Sequence, residues 1–160
     1  MEERRRVITS VRGFPRQVVQ VLIVEDFQAY RAFVVSLLRE KPSLQIVCEV
    51  EDGLQAVARA QELSPDLILL DIGLPGLNGI ETARQILKII PESKIVFLTQ
   101  ETASEVVHEA FNLGALVYVV KSQAGRELLA AIETVLEGKR FVSSGLDGHL
   151  PTATDGLGSS

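Results

Sequence analysis

Five residues of this chain have side chains suited to one kind of chemistry, and each follows an apolar run. Val18 to Val24 leads into Glu25-Asp26, Leu67-Ile68-Leu69-Leu70 into Asp71, Lys94 to Leu98 into Thr99, and Ala115 to Val120 into Lys121. Three carboxylates brought together repel one another, and a bound cation offsets that cost. All the candidate ligands are oxygens. They suit a hard, octahedral ion that keeps some of its waters, Mg²⁺ rather than zinc. The backbone carbonyl of Gly73 is placed to add one more oxygen. Lys121 supplies an ammonium that can neutralise carboxylate or phosphoryl oxygens, and Thr99 a hydroxyl that can donate to one. A carboxylate in such company is equipped to accept a phosphoryl group, chiefly by positioning and charge neutralisation. Asp71 is the candidate acceptor and Glu25, Asp26, Asp71 and Gly73 are the candidate metal ligands. Any one acid, threonine or lysine after a strand is commonly a turn or cap residue; the joint pattern is what points to a site.

The elements that must position these residues are legible from periodicity. Leu67 to Leu70 is apolar without alternation, as in a strand buried on both faces of a parallel sheet, and Ile72-Gly73-Leu74-Pro75-Gly76 ends it. Asp71 is thereby placed at the carboxyl tip of a strand, the edge where open α/β sheets bind ligands. Val18 to Val24, Leu44 to Val50, Lys94 to Leu98 and Ala115 to Val120 read as four further strands. Helical spacing joins Tyr30, Phe33, Val34, Leu37 and Leu38, then Ala56, Val57, Ala60 and Leu63, then Ile80, Ala83, Ile86, Leu87 and Ile90. It recurs in Val106, Val107, Ala110 and Phe111, and in Leu128, Leu129, Ile132, Val135 and Leu136. Asp52 with Gln55, Asn78 with Glu81, and Thr102 with Glu105 have the spacing of helix caps. The last helix lacks such a start, since Ala124 and Gly125 stand where a cap is expected. Five strands alternating with five helices predict an α/β fold, a doubly wound five-stranded parallel sheet with right-handed crossovers.

At 160 residues, 46% hydrophobic and 23% charged, the chain fits one globular domain with a substantial core. A net charge of -5 argues against a general nucleic-acid binder, which needs Lys and Arg in excess. The first sixteen residues run the other way, with five Arg against two Glu. Residues 1–17 show no sustained periodicity and read as a flexible arm, residues 18–144 as the folded domain, and the Gly/Ser/Thr-rich residues 145–160 as a disordered tail or linker. Cys48 is alone, so no disulfide within the chain and no cysteine-based zinc site is expected. No apolar stretch approaches the roughly 20 residues of a membrane helix, and no apolar run follows the N-terminal arginines as in a signal peptide. The default expectation is a cytoplasmic protein with no membrane partner.

From Gln20 to Ser143 the chain resembles the receiver domain of bacterial two-component response regulators. The resemblance is carried by Val24-Glu25-Asp26, by Leu69-Leu70-Asp71 with the loop through Gly79, by Phe97-Leu98-Thr99 and by Tyr118-Val119-Val120-Lys121. Lys121 to Ile132, followed by Gly138-Lys139-Arg140-Phe141-Val142-Ser143, is similar to the branch whose members usually carry a C-terminal helix-turn-helix DNA-binding domain. The resemblance implies a flavodoxin-like fold with strand order 2-1-3-4-5. It implies that Asp71 accepts a phosphoryl group from a phosphohistidine on a sensor histidine kinase or phosphotransfer protein. Glu25, Asp26, Asp71 and the Gly73 carbonyl would hold Mg²⁺, and Lys121 would pair with the phosphoryl group. Thr99 would move toward it and Tyr118 would swing inward. That shift would alter the face formed by the fourth helix, fifth strand and fifth helix, a possible homodimer contact. The domain itself would bind no nucleic acid and would be a regulatory phosphoacceptor rather than an enzyme, limited to Mg²⁺-dependent self-phosphorylation and dephosphorylation.

Two departures bear on the site. Gln100 follows Thr99 where the family usually has a small residue, and Glu101 adds negative charge at the entrance. A longer side chain at 100 would restrict access to Asp71. Two rival readings are a receiver-like module that docks a partner without phosphorylation, and a phosphohydrolase working through an aspartyl intermediate. Against the second, haloacid-dehalogenase-like enzymes want another Asp two residues after the nucleophile, and that position is Gly73.

Overall fold

The computed structural model describes residues 7–9, 15–100, 108–110, 112–113 and 117–142. The strands are β1 (Val7–Thr9), β2 (Pro15–Gln17), β3 (Val19–Val24), β4 (Leu44–Val50), β5 (Leu67–Leu70), β6 (Lys94–Thr99), β7 (Val117–Val120) and β8 (Phe141–Val142). The helices are α1 (Gln28–Leu38), α2 (Gly53–Leu63), α3 (Gly79–Ile89) and α4 (Ala124–Leu136). Residues 108–110 are also helical, within the helix predicted from Thr102; the predicted cap Thr102–Glu105 lies outside the described residues.

The main sheet has the order β4-β3-β5-β6-β7-β8, every neighbouring pair parallel. Its first five strands follow the expected order 2-1-3-4-5, with β3 as the first. The sheet has six strands rather than five, because Phe141 and Val142 add a short parallel edge beside Val117 and Tyr118. Two residues are too short a stretch to show a period, so β8 left no signature in the sequence. Within the N-terminal arm, β1 and β2 pair antiparallel, Val7 opposite Gln17 and Thr9 opposite Pro15.

Alternate residues of the inner strands feed two separate cores. Val21, Ile23, Leu67, Leu69, Val96 and Leu98 pack with Val34 and Leu38 of α1 and Leu128, Ile132 and Val135 of α4. Leu22, Val24, Ile68, Leu70, Ile95 and Phe97 pack with Ala56 and Ala60 of α2 and Ile80, Ala83 and Ile86 of α3. This two-sided burial is why the strands read as unbroken apolar runs. The edge strand β4 differs, with Leu44 through Cys48 only half-buried.

Local chemistry fixes the helix starts near the site. Asp52 accepts from Gln55 N at 2.8 Å and Asn78 accepts from Glu81 N at 2.9 Å, as their spacing predicts. The start of α4 carries no side-chain cap; a single 3₁₀ turn, Lys121–Gln123, leads into it instead. Gly138 ends α4 with φ +80, a conformation that favours glycine.

Candidate functional site

Strand register gathers the site. Val24 stands opposite Leu70, so the residues that follow them, Glu25 and Asp71, emerge side by side. Leu70 stands opposite Phe97, and Thr99 opposite Val120, which carries Lys121 to the same edge. Asp71 N donates to the Val24 carbonyl at 3.1 Å, extending the ladder one step past the strand end. The loop behind Asp71 is held equally tightly. A Cβ on Gly79 would lie 2.3 Å from the Asp71 carbonyl oxygen, so only glycine lets α3 begin this close.

The predicted residues converge on a cleft of about 420 Å³ lined by Glu25, Asp26, Phe27, Asp71, Gly73, Thr99, Gln100 and Lys121. Glu25, Asp71 and Thr99 are buried and Asp26 is exposed at the mouth. One carboxylate oxygen from each of Glu25, Asp26 and Asp71 lies within 4.8 Å of the others, a group able to hold a metal ion. The Lys121 ammonium stands between two of these acids, 2.8 Å from Glu25 Oε1 and 3.2 Å from Asp71 Oδ2. The remaining oxygens are oriented by the main chain. Phe27 N donates to Glu25 Oε2 at 3.0 Å, and Gly73 N donates to Asp71 Oδ1 at 3.0 Å.

Burial pushes the Glu25 carboxyl above its ordinary range, and the negative charge of Asp71 adds to the rise. The Lys121 ammonium and the Phe27 amide oppose it without cancelling it. Three carboxylates stand against one ammonium at this cleft, a charge balance that a divalent cation complements. The donor set is all oxygen, which fits Mg²⁺ and not a soft metal.

Tyr118 is fully buried, its ring 6.4 Å from that of Phe97, so it already occupies the inward position that the resemblance had it reach from an exposed one. Gln100 is exposed and lines the cleft, where its length was expected to matter; Glu101 lies outside the described residues. Three neighbours were given no part in the site by the sequence. Phe27, 63% exposed, walls the cleft directly after the acid pair. Arg31 donates to the Glu25 carbonyl at 2.7 Å and pairs with Glu49 at 3.3 Å, fixing the chain below the acids. Tyr30, expected as an inward core residue of its helix, touches Lys121. The available signal was spacing: Tyr30 and Arg31 fall in the first turn of the helix that follows the acid pair.

Among the described residues no helix is long and apolar enough to cross a membrane. The sequence pattern of the response regulator receiver domain matches residues 21–133. The chain is 31% identical over 132 residues to the transcriptional regulatory protein LiaR of Bacillus subtilis, covering 82% of this chain and 63% of that one. It is 36% identical over 126 residues to the DNA-binding transcriptional activator DevR/DosR of Mycobacterium tuberculosis, covering 79% and 58%. The chain thus spans about three-fifths of the length of these relatives. Among solved structures it is similar to a LuxR-family two-component response regulator from Aurantimonas, with a TM-score of 0.78, 31% identity and coverage of 82% of this chain and 94% of that one. It is also similar to the response regulator domain of Thermotoga maritima CheB, with a TM-score of 0.69, 30% identity and coverage of 75% and 97%. Register, acid cluster and sequence pattern lead to one conclusion: the chain belongs to the response regulator receiver domain family of two-component signalling.

Proposed function

We propose that Asp71 is the phosphoacceptor of this receiver domain, taking its phosphoryl group from a phosphohistidine on a sensor histidine kinase or phosphotransfer protein. The observation that carries this reading is the Lys121 ammonium, 3.2 Å from Asp71 Oδ2 at the carboxyl tip of the central strand β5. An Asp71 oxygen attacks phosphorus, the P–N bond to the donor imidazole breaks, and its electron pair leaves with the ring nitrogen. Lys121 neutralises charge on the transferred oxygens, and the Thr99 hydroxyl donates to one of them. Glu25, Asp26, Asp71 and the Gly73 carbonyl are the residues to hold Mg²⁺, which supplies charge neutralisation for the phosphoryl oxygens when bound.

The same groups support Mg²⁺-dependent self-phosphorylation and dephosphorylation as the domain's whole chemistry. Thr99 and Tyr118 are the proposed switch pair, through which phosphorylation alters the face of the helix predicted from Thr102, β7 and α4 and biases a homodimer or output contact. Residues 18–144 form the proposed receiver unit, working in the cytoplasm.

The test is the intact mass of the protein after incubation with acetyl phosphate and Mg²⁺, for wild type and Asp71→Asn. A gain of one phosphoryl group in wild type alone is expected. No gain in wild type from acetyl phosphate or from a phosphohistidine donor, with Mg²⁺ binding established separately, overturns the reading in favour of a docking module that works unphosphorylated.

A further inference from the structure

Lys121 is held at both ends by a single side chain that has no part in the transfer chemistry above. From the first turn of α1, the Tyr30 hydroxyl donates to the Lys121 carbonyl at 3.0 Å. The ring of the same residue faces the Lys121 ammonium, with Nζ 4.8 Å from its centroid. The Lys121 carbonyl also accepts from Ala124 N, so the hydroxyl reinforces the 3₁₀ turn that delivers Lys121 to the sheet edge.

A lysine side chain is a long, flexible stem, and its ammonium is a poor catalyst unless it is held where charge develops. Here Glu25 and Asp71 both compete for it, at 2.8 and 3.2 Å. The negative face of an aromatic ring attracts a cation without adding a formal charge, and it blocks the stem from swinging away from the acids. Tyr30 also packs on Phe33, with ring centroids 5.5 Å apart, and against the core beneath α1 and α4. A residue serving only that core needs neither of the two contacts to Lys121. Burial, then the negative charges of Glu25 and Asp71, raise the Tyr30 phenol's pKa, so the hydroxyl remains a donor.

We propose that Tyr30 is a positioning residue for phosphoryl transfer: its ring holds the Lys121 ammonium beside Asp71 while its hydroxyl fixes the Lys121 main chain. The inference rests on the reading of Asp71 as acceptor and Lys121 as its charge-neutralising partner.

The test uses the full chain with acetyl phosphate and Mg²⁺, a donor small enough to need no protein docking surface. Tyr30→Leu slows labelling at saturating donor by about threefold to tenfold, the size of one cation–π contact expressed as a rate. Tyr30→Phe, which keeps the ring, retains most of the wild-type rate. In a Lys121→Ala background, Tyr30→Leu causes no further loss. The same loss in that background, a wild-type rate for Tyr30→Leu, or a Tyr30→Phe as slow as Tyr30→Leu overturns the proposal. A second readout does not depend on the reaction. The Lys121 ε-methylene protons, identified by their loss in Lys121→Ala, carry an upfield ring-current shift in wild type and Tyr30→Phe but not in Tyr30→Leu. Absence of that shift in wild type overturns the contact itself. A wild type that takes no phosphoryl group overturns the acceptor reading and the rate effect with it, while the proton shift still decides whether Tyr30 holds Lys121.

Discussion

The two edges of the central sheet both carry acids at strand ends, and they use them in opposite ways. At the amino edge, Asp66 precedes β5; its Oδ2 accepts from Gln20 N at 2.8 Å and its own N donates to the Gln20 carbonyl at 2.9 Å. Lys94 N donates to the Asp66 carbonyl at 3.0 Å, and Ser93 Oγ to the Pro65 carbonyl at 2.9 Å. There the acid closes the ends of β3 and β6 onto β5. At the carboxyl edge, five residues further on, Asp71 gives one oxygen to Gly73 N and turns the other to Lys121, with Glu25 and Asp26 beside it. The first acid is consumed by backbone donors and stabilises the fold. The second has two further carboxylates beside it and faces the cleft, where it stays available for chemistry. Two aspartates on one strand are thus told apart by what surrounds their oxygens, not by residue type.

The sharpest way to separate the edges is to remove each aspartate in turn. Asp71→Asn abolishes phosphoryl incorporation by mass while leaving stability equal to or above wild type. Asp66→Ala incorporates normally but loses about 1–3 kcal/mol in urea unfolding, because the Gln20 amide loses its partner. Labelling lost with Asp66 would break the contrast. Next in size is Gly79→Ala. Its Cβ would meet the Asp71 carbonyl at 2.3 Å, so we expect a loss of about 1–3 kcal/mol, together with slower labelling as the Asp71 loop shifts. Unfolding and labelling rates measured on one preparation check both.

Glu25→Gln tests the cost of the carboxyl edge directly. The folded protein holds the Glu25 proton to higher pH than the unfolded chain does. Metal-free stability contributed by this group therefore falls as pH rises from the ordinary carboxylate value through the raised one. Glu25→Gln removes that fall and is more stable than wild type at neutral pH when metal is absent. Added Mg²⁺ stabilises wild type more than the variant. Equal pH dependence in the two would show that Glu25 is not under strain. The smallest effect is at the entrance: Gln100→Ala raises the acetyl phosphate labelling rate by less than about tenfold, a step under 1.4 kcal/mol. An unchanged rate would show that this side chain does not gate the cleft.

Much of this site was legible in the chain because its signals are local. Four unbroken apolar residues followed by Asp71 and a Gly/Pro loop specify a buried strand and its tip, and Asp52 and Asn78 cap helices three residues away from their partners. What was not legible depends on neighbours distant in sequence. Asp66 drew no attention because its partner Gln20 lies 46 residues back. Tyr30 carries the same helical period whether it faces apolar core or Lys121, and 91 residues separate the two. β8 is two residues long and exists as a strand only because β7 is there to pair with it.

The sequence by itself determined the order of the elements and which polar groups stand at the strand tips, since apolar runs, caps and turn residues act over a few positions. Only the tertiary structure decided that those tips meet. Val24 opposite Leu70, Leu70 opposite Phe97 and Thr99 opposite Val120 are choices of register between strands far apart in the chain. Two cores packed on opposite faces fix that register, because a one-residue slip would send each buried side chain into the opposite core, whose space is shaped for other side chains.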